Sequence, residues 1–314
     1  MLELVPLSTD LEAARRLLRA ATYATVVPGE RPDEVLLSAE DLVRSGGALG
    51  GLFSTDGRPV GLALWEPPTP VGLLVYSAYL EPSHATRAAY RDALAEIGRA
   101  AGPVAFVLRS FVGLRPEDEA ELMRSLGFER YGRSEMRFAA SAPVPEVPAP
   151  AGVTFRSPVA EDAAALAALN TRAYADGLDR FLFLTDLDAA RDSERHVSDV
   201  LGGRFGPFLD SASFIAEDGG VVVGACLVVR APYGPLVVNV MVDPGHQGRK
   251  IAQAMLVASL RALRVAREAE PVLNVTEGNT PAVRAYERVG FVRSIGPQWS
   301  WYSVRQVPIR DRRS

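Results

Sequence analysis

The residues best suited to chemistry lie between positions 236 and 291 of this 314-residue chain. Leu236 to Val242 (LVVNVMV) is a β-branched run suited to a strand buried on both faces, and Asp243-Pro244-Gly245 ends it. Gln247-Gly248-Arg249-Lys250-Ile251-Ala252 then opens a helix whose apolar face includes Ile251, Met255, Ala258 and Ala262. A tight strand-to-helix turn exposes unpaired backbone N–H groups at the positive end of the helix dipole, which suits a phosphate or pyrophosphate. Alone this is a weak signal, because many strand-to-helix turns look alike. Pro271 to Val275 reads as a second strand. The turn Glu277-Gly278-Asn279-Thr280-Pro281 follows, with Thr280 at the N-cap and Pro281 at the first helical position. The helix Ala282 to Val289 carries Tyr286 and closes at Gly290.

The elements that must position these residues occur twice. Residues 139–152 (AASAPVPEVPAPAG) hold four prolines and no apolar periodicity, which marks an extended linker. We take 1–140 as one domain, 141–151 as the linker and 152–314 as a second domain. Four landmarks recur in order at an offset of 162–163 residues: Asp56-Gly57 with Asp218-Gly219, Val60-Gly61 with Val223-Gly224, Pro82 with Pro244, and Gly127 with Gly290. One order at one spacing points to a tandem duplication, the alternative being chance similarity of two α+β domains. Each half reads as strand, helices, hairpin, strand, helix, strand, helix, strand. That order predicts an α/β layered fold: a mixed, mostly antiparallel central sheet flanked by helices.

The pattern V-D-P-x-x-Q-G-x-x-I-A at 242–252, followed by N-x-x-A-x-x-x-Y-E-x-x-G-F at 279–291, resembles the GNAT superfamily of acyl-CoA-dependent N-acyltransferases. The resemblance is specific over 236–291 and extends to 153–307; over 1–138 it rests on the duplication. It implies two tandem GNAT-like domains, acetyl-CoA as co-substrate, no metal, and an amine acceptor on a small molecule or peptide. It also implies that strands 236–242 and 271–276 splay into a V. Backbone groups of Val240, Met241 and Val242 would then hold the pantetheine and acyl carbonyl, with the Met241 N–H at the oxyanion. The N–H groups of Gln247, Gly248, Arg249, Lys250, Ile251 and Ala252 would cradle the pyrophosphate. Tyr286 takes the family's general-acid position, a phenol of ordinary pKa near 10 serving a thiolate leaving group near 8.5. Asn279 caps the helix, binds the cofactor, or does both. Glu277, at the mouth of the V, is either the proton acceptor for the amine or a solvated turn carboxylate. The family usually has glycine where this chain has Lys250, leaving two readings: a cation for phosphate, or a solvated side chain.

The first half lacks these groups. Ser83-His84-Ala85-Thr86 replaces the Gln-Gly turn, Met123 stands where Tyr286 would, and Glu117-Asp118-Glu119 crowds the following turn with negative charge. It reads as a catalytically silent copy. For the acceptor pocket, Tyr174, Asp176, Asp179, Phe181 and Phe183 are candidates, with Trp299, Trp301 and Tyr302 on the last strand. Aromatic walls with a few carboxylates suit an amine, although ordinary core or a domain interface explains them equally well.

Composition narrows the remaining classes. Net charge is −4, with residues 1–150 holding 15 arginines against 20 acids, so no basic surface for nucleic acid is expected. The longest apolar runs are too short to span a bilayer, and no signal peptide is evident, so we expect a cytoplasmic chain without a membrane partner. Cys226 is the lone cysteine and reads as core. Lys250 is the lone lysine, and only four asparagines occur, at 170, 239, 274 and 279. Oligomeric state stays open. From another functional class, a non-catalytic acyl-CoA-binding sensor carries the same loop.

Overall fold

A computed structural model describes residues 2–7, 10–25, 49–65, 73–101, 106–108, 111–112, 114–139, 141–180 and 189–303. The chain forms two compact units, Met1–Tyr131 with Trp299–Ser314, and Gly132–Gln298. The first contains β1 (Glu3–Pro6), α1 (Leu11–Thr25), β2 (Leu49–Thr55), β3 (Arg58–Trp65), β4 (Leu73–Leu80), α2 (Arg87–Ala101), β5 (Phe106–Leu108), β6 (Phe111–Val112) and α3 (Pro116–Ser125). Strand β7 (Glu129–Arg137) then leads into the second unit. There follow β8 (Val153–Arg156), α4 (Ala163–Tyr174), α5 (Ala189–Leu201), β9 (Phe214–Asp218), β10 (Val221–Ala231), β11 (Gly234–Val242), α6 (Ile251–Val265), β12 (Val272–Thr276), α7 (Thr280–Val289) and β13 (Val292–Ser303).

The repeat read from the sequence is visible as strand order. In the first unit neighbouring strands run β1-β2-β3-β4-β5 and in the second β8-β9-β10-β11-β12, each run antiparallel until its last pair, which is parallel. The hairpin turns are tight: Thr55 pairs Arg58 and Asp218 pairs Val221. The central residues, Asp56-Gly57 and Gly219-Gly220, all have positive φ, as a two-residue hairpin of this twist requires. The second turn is therefore centred one residue later than Asp218-Gly219.

The units differ from the contiguous 1–140 and 152–314 by an exchanged strand. Arg133–Arg137 of β7 pairs antiparallel with Val272–Thr276 of β12. Trp301–Ser303 of β13 pairs antiparallel with Phe106–Leu108 of β5. Each exchange gives a strand a ladder partner on its second side, where its N–H and C=O groups would otherwise lack one. The Pro/Ala stretch also belongs to the second unit rather than spanning free. Ala142, Val144 and Val147 pack on its core. Arg264, Arg261 and Arg249 donate to the carbonyls of Ala142, Pro145 and Ala151.

Alternation along β10 builds the core of the second unit on both sheet faces. Ala225, Leu227 and Val229 meet Leu166 and Leu169 of α4 and Val197 and Val200 of α5. Cys226 and Val228 face Met255, Leu256 and Leu260 of α6. Period two in the strand thus becomes a helix–sheet–helix layer. Burial pushes the Cys226 thiol up to about 12, with Ser259 as its hydrogen-bond partner at 3.3 Å, so this cysteine is core.

Candidate functional site

Strands β11 and β12 pair only at Leu236–Val272 and Val237–Leu273. Beyond that point β11 continues to Val242 against β10, and β12 continues to Thr276 against β7. The two strands therefore diverge into a wedge, as the V of the sequence reading requires. Which backbone groups line it follows from the register. Asp243 donates its N–H to the Val223 carbonyl at 2.8 Å, and in the same register Met241 lies opposite Ala225. Hydrogen-bonded pairs alternate along an antiparallel ladder, so the Met241 N–H faces β10 and those of Val240 and Val242 face the wedge. The oxyanion role expected of Met241 is thus unavailable to it, and Val240 and Val242 present the free groups.

The turn into α6 sits at the end of β11. Asp243 shapes it: its carboxylate accepts from the Gly245 N–H at 3.0 Å and from Arg172 Nε at 2.7 Å. The Arg172 hydrogen bond holds the Asp243 carboxyl below the ordinary carboxylate range, so it stays charged. Gly248 and Lys250 both adopt left-handed backbone, with φ of 79° and 65°. A Cβ on Gly248 would meet nothing within 4 Å, so open space lies over this turn. Lys250 is the N-cap of α6 and makes no side-chain cap. The first-turn N–H groups have no intrahelical acceptors by helix geometry. These features fit a pyrophosphate. Gln247 is the exception, since its N–H points to the Pro244 carbonyl at 3.4 Å. The Arg249 side chain is also engaged, pairing with Asp218 at 2.6 Å, so only its backbone is available.

At the mouth of the wedge, Asn279 rather than Thr280 is the N-cap of α7. Its Oδ1 accepts from the Ala282 N–H at 3.2 Å, and its Nδ2 donates to Asp179 Oδ2 at 2.9 Å. Thr276 Oγ1 donates to the other Asp179 oxygen. Tyr286 is half-buried on α7 against Phe291, ring centroids 6.3 Å apart. Burial, then the Asp179 charge, pushes its phenol well above the ordinary value, so it carries its proton at neutral pH. Glu277 is turned elsewhere: it accepts from Ser134 Oγ and pairs with Arg293. Those partners hold its carboxyl below the usual range, which makes it a weaker proton acceptor than an ordinary carboxylate.

The acceptor candidates divide. Tyr174 and Asp179 stand by Tyr286. Burial pushes the Tyr174 phenol up, Tyr286 and Asp179 add to the rise, and the Asn239 amide opposes it. Asp176 is exposed on the loop after α4. Phe181 and Phe183 lie outside the described residues. Trp299, Trp301 and Tyr302 belong to the first unit, because the end of β13 joins its sheet. Trp301 is buried in that unit's core and donates to Glu119, and Tyr302 donates to Glu129 at 3.0 Å. His196 of α5 places its Nε2 2.8 Å from Asn239 Oδ1, a pairing across 43 positions that the sequence does not announce. Asn239 is the one polar side chain inside the apolar strand β11. Among the described residues no group of His, Cys, Asp and Glu is arranged to hold a metal ion, and no helix is long and apolar enough to cross a membrane.

Comparison with known proteins bears on the family and the fold. Residues 210–293 match the family model described as an acetyltransferase (GNAT) domain. A mycothiol acetyltransferase of Salinispora arenicola is 36% identical over 170 residues, 51% of each chain, so the chain spans about half the length of that curated relative. One from Geodermatophilus obscurus is 29% identical over 299 residues, 90% of each chain. The crystal structure of a GCN5-related N-acetyltransferase from Sphaerobacter thermophilus superposes with a TM-score of 0.60 at 22% identity, covering 97% of this chain and 96% of that one. A tandem GNAT protein from the clavulanic acid biosynthesis pathway gives 0.52 at 16%, covering 98% and 99%. At these identities the structures speak for the fold. With the splayed strands, the open α6 turn and the matched segment in one place, this chain carries a GNAT acetyltransferase domain in a tandem GNAT fold.

Proposed function

We propose that the second unit binds acetyl-CoA and transfers its acetyl group to an amine of a small molecule or peptide by direct attack. The observation that carries this reading is the wedge between β11 and β12 opening beside the uncapped, left-handed turn of α6. Acetyl-CoA supplies the activated thioester. The N–H groups of Gly248 to Ala252 hold the pyrophosphate, with the dipole of α6 adding to the field. Val240 and Val242 offer backbone donors to the pantetheine and to an oxyanion. Asp179, fixed by Thr276 and Asn279, attracts the acceptor ammonium, which gives one proton to water before the neutral amine attacks the thioester carbon. The C–S bond breaks as the N–C bond forms, and the second nitrogen proton also leaves to water. Tyr286 gives its proton to the departing sulfur. Its raised proton affinity does not disqualify it, because a thiolate leaving into the same low-dielectric site also gains affinity, as the buried Cys226 thiol does.

The test is CoA release against a panel of amines, including the mycothiol acceptor suggested by the relatives' name. Amine-dependent release of free thiol supports the reading. Tight acetyl-CoA binding without turnover across the panel would favour a non-catalytic acyl-CoA sensor. One observation gives that second reading weight: Glu277, the expected base, is held by Arg293 and Ser134.

A further inference from the structure

The Pro/Ala strap follows α6 along its length. It starts near the helix's C-terminal end, where Arg264 donates to the Ala142 carbonyl, and reaches the N-terminal end, where Arg249 donates to the Ala151 carbonyl at 3.0 Å. There, residues 146–150 form one wall of a groove of about 610 Å³. Arg249, Lys250, Gln253 and Arg288 form the other wall. The volume lies in the range of ligand pockets, roughly 300–1,000 Å³. The two walls differ in character. Val147, Pro148, Ala149 and Pro150 offer apolar surface, and the facing wall is cationic. Arg249 is already taken by Asp218 and Ala151. Lys250 and Arg288 are exposed, and neither enters an ion pair among the described residues. Glu146 is the one acid in the lining. Apolar surface facing two uncommitted cations suits a heterocycle that bears a phosphate.

We propose that the strap is part of the ligand site: its 146–150 wall, with Lys250 and Arg288, holds the 3′-phosphorylated nucleoside of the acyl-CoA donor, so that donor binding pins the strap against α6. The inference rests on the acyl-CoA reading above and adds a residue segment between the repeats to the binding surface. The α6 N–H groups remain with the pyrophosphate, and the groove receives what lies beyond it.

The experiment compares CoA with 3′-dephospho-CoA on the full chain, by calorimetry and by elastase cleavage within 142–151, where Ala and Val offer sites. CoA should bind roughly tenfold or more tightly than 3′-dephospho-CoA, the scale of one charge-assisted phosphate contact. Arg288→Ala should reduce that preference severalfold, Lys250 remaining, and leave 3′-dephospho-CoA affinity as it was, which also reports that the variant is folded. Arg288→Lys should restore part of the preference. CoA should slow cleavage of the strap more than 3′-dephospho-CoA does. Equal affinities for the two ligands, or strap cleavage unchanged at saturating CoA, would overturn the proposal and leave the acyl-CoA reading standing. Failure of both ligands to bind would overturn the acyl-CoA reading and this inference with it.

Discussion

The two units share a strand order and differ where a ligand would enter. In the second, β11 loses its parallel partner after Val237. In the first, β4 is paired by β5 at Leu73–Val75 and again by β6 at Ala78 and Tyr79, so main chain fills the corresponding gap. The turns differ as well. Ahead of α6, Gly248 and Lys250 are left-handed and the cap is absent. Ahead of α2 no residue has positive φ, and Thr86 Oγ1 caps the Ala89 N–H at 3.2 Å. The protein itself satisfies there the kind of group that the second unit leaves for a ligand. Met123, at the position matching Tyr286, is fully buried. On the proposed reading, the first unit keeps the architecture while a two-residue strand, one threonine and one methionine stand where the second unit offers its donor site.

The strongest way to break this comparison is to place the same charge at both turns. Gly248→Glu puts a carboxylate and a Cβ at a left-handed position meant for phosphate, so acetyl-CoA binding should disappear by calorimetry. Thr86→Glu at the first unit's turn should leave affinity unchanged. Equal losses would mean that both turns serve the ligand. The next largest effect concerns the acid. Tyr286→Phe keeps the ring packed on Phe291 and should lower kcat by about 10²–10⁴-fold, with acetyl-CoA affinity spared. The loss should shrink with a more acidic leaving thiol, a signature that a packing role would not give. Met123→Leu, its counterpart, should leave kcat where it was.

Two smaller effects sharpen the account. Glu277→Gln should cost about 0.5–1 kcal/mol of stability at neutral pH, as expected for a partly exposed ion pair, and leave turnover intact. Because Glu277 has a lowered carboxyl pKa in the folded chain, its contribution is present above the ordinary carboxylate range near 4.3 and is lost as pH falls through the folded value. Denaturation midpoints of wild type and variant should therefore converge in acid. A large kcat loss in this variant would return Glu277 to the chemistry. Lys250→Gly relieves a left-handed lysine and should raise stability by up to about 1 kcal/mol, net of the greater freedom of glycine when unfolded. Acetyl-CoA titration of this variant decides between the two readings of the lysine: a tenfold loss assigns it to phosphate, an unchanged constant to solvent.

Local spacing made the strand, turn and helix elements of 236–291 legible, because each depends on residues within about one strand–helix unit of its neighbours, whereas the wedge and the role of Tyr286 came from the family resemblance. Partners distant in sequence were not legible. Glu277 meets Ser134 across 143 positions, and no local pattern announces that contact. The exchange of β7 and the end of β13 depends on which strand lacks a ladder partner, a property of the assembled sheet. For Met241 the phase of the ladder, not the composition of the strand, decides which way its N–H faces. Asn279 and Thr280 both cap well, so the choice fell to geometry one residue away.

The central claim is that only the second unit holds a donor site, and binding stoichiometry on the full chain tests it most directly. Fragments would not serve, because each half supplies a strand to the other's unit. Calorimetric titration of the wild-type chain with acetyl-CoA should give one site per chain. Two sites per chain, or one site surviving in Gly248→Glu, would contradict the claim.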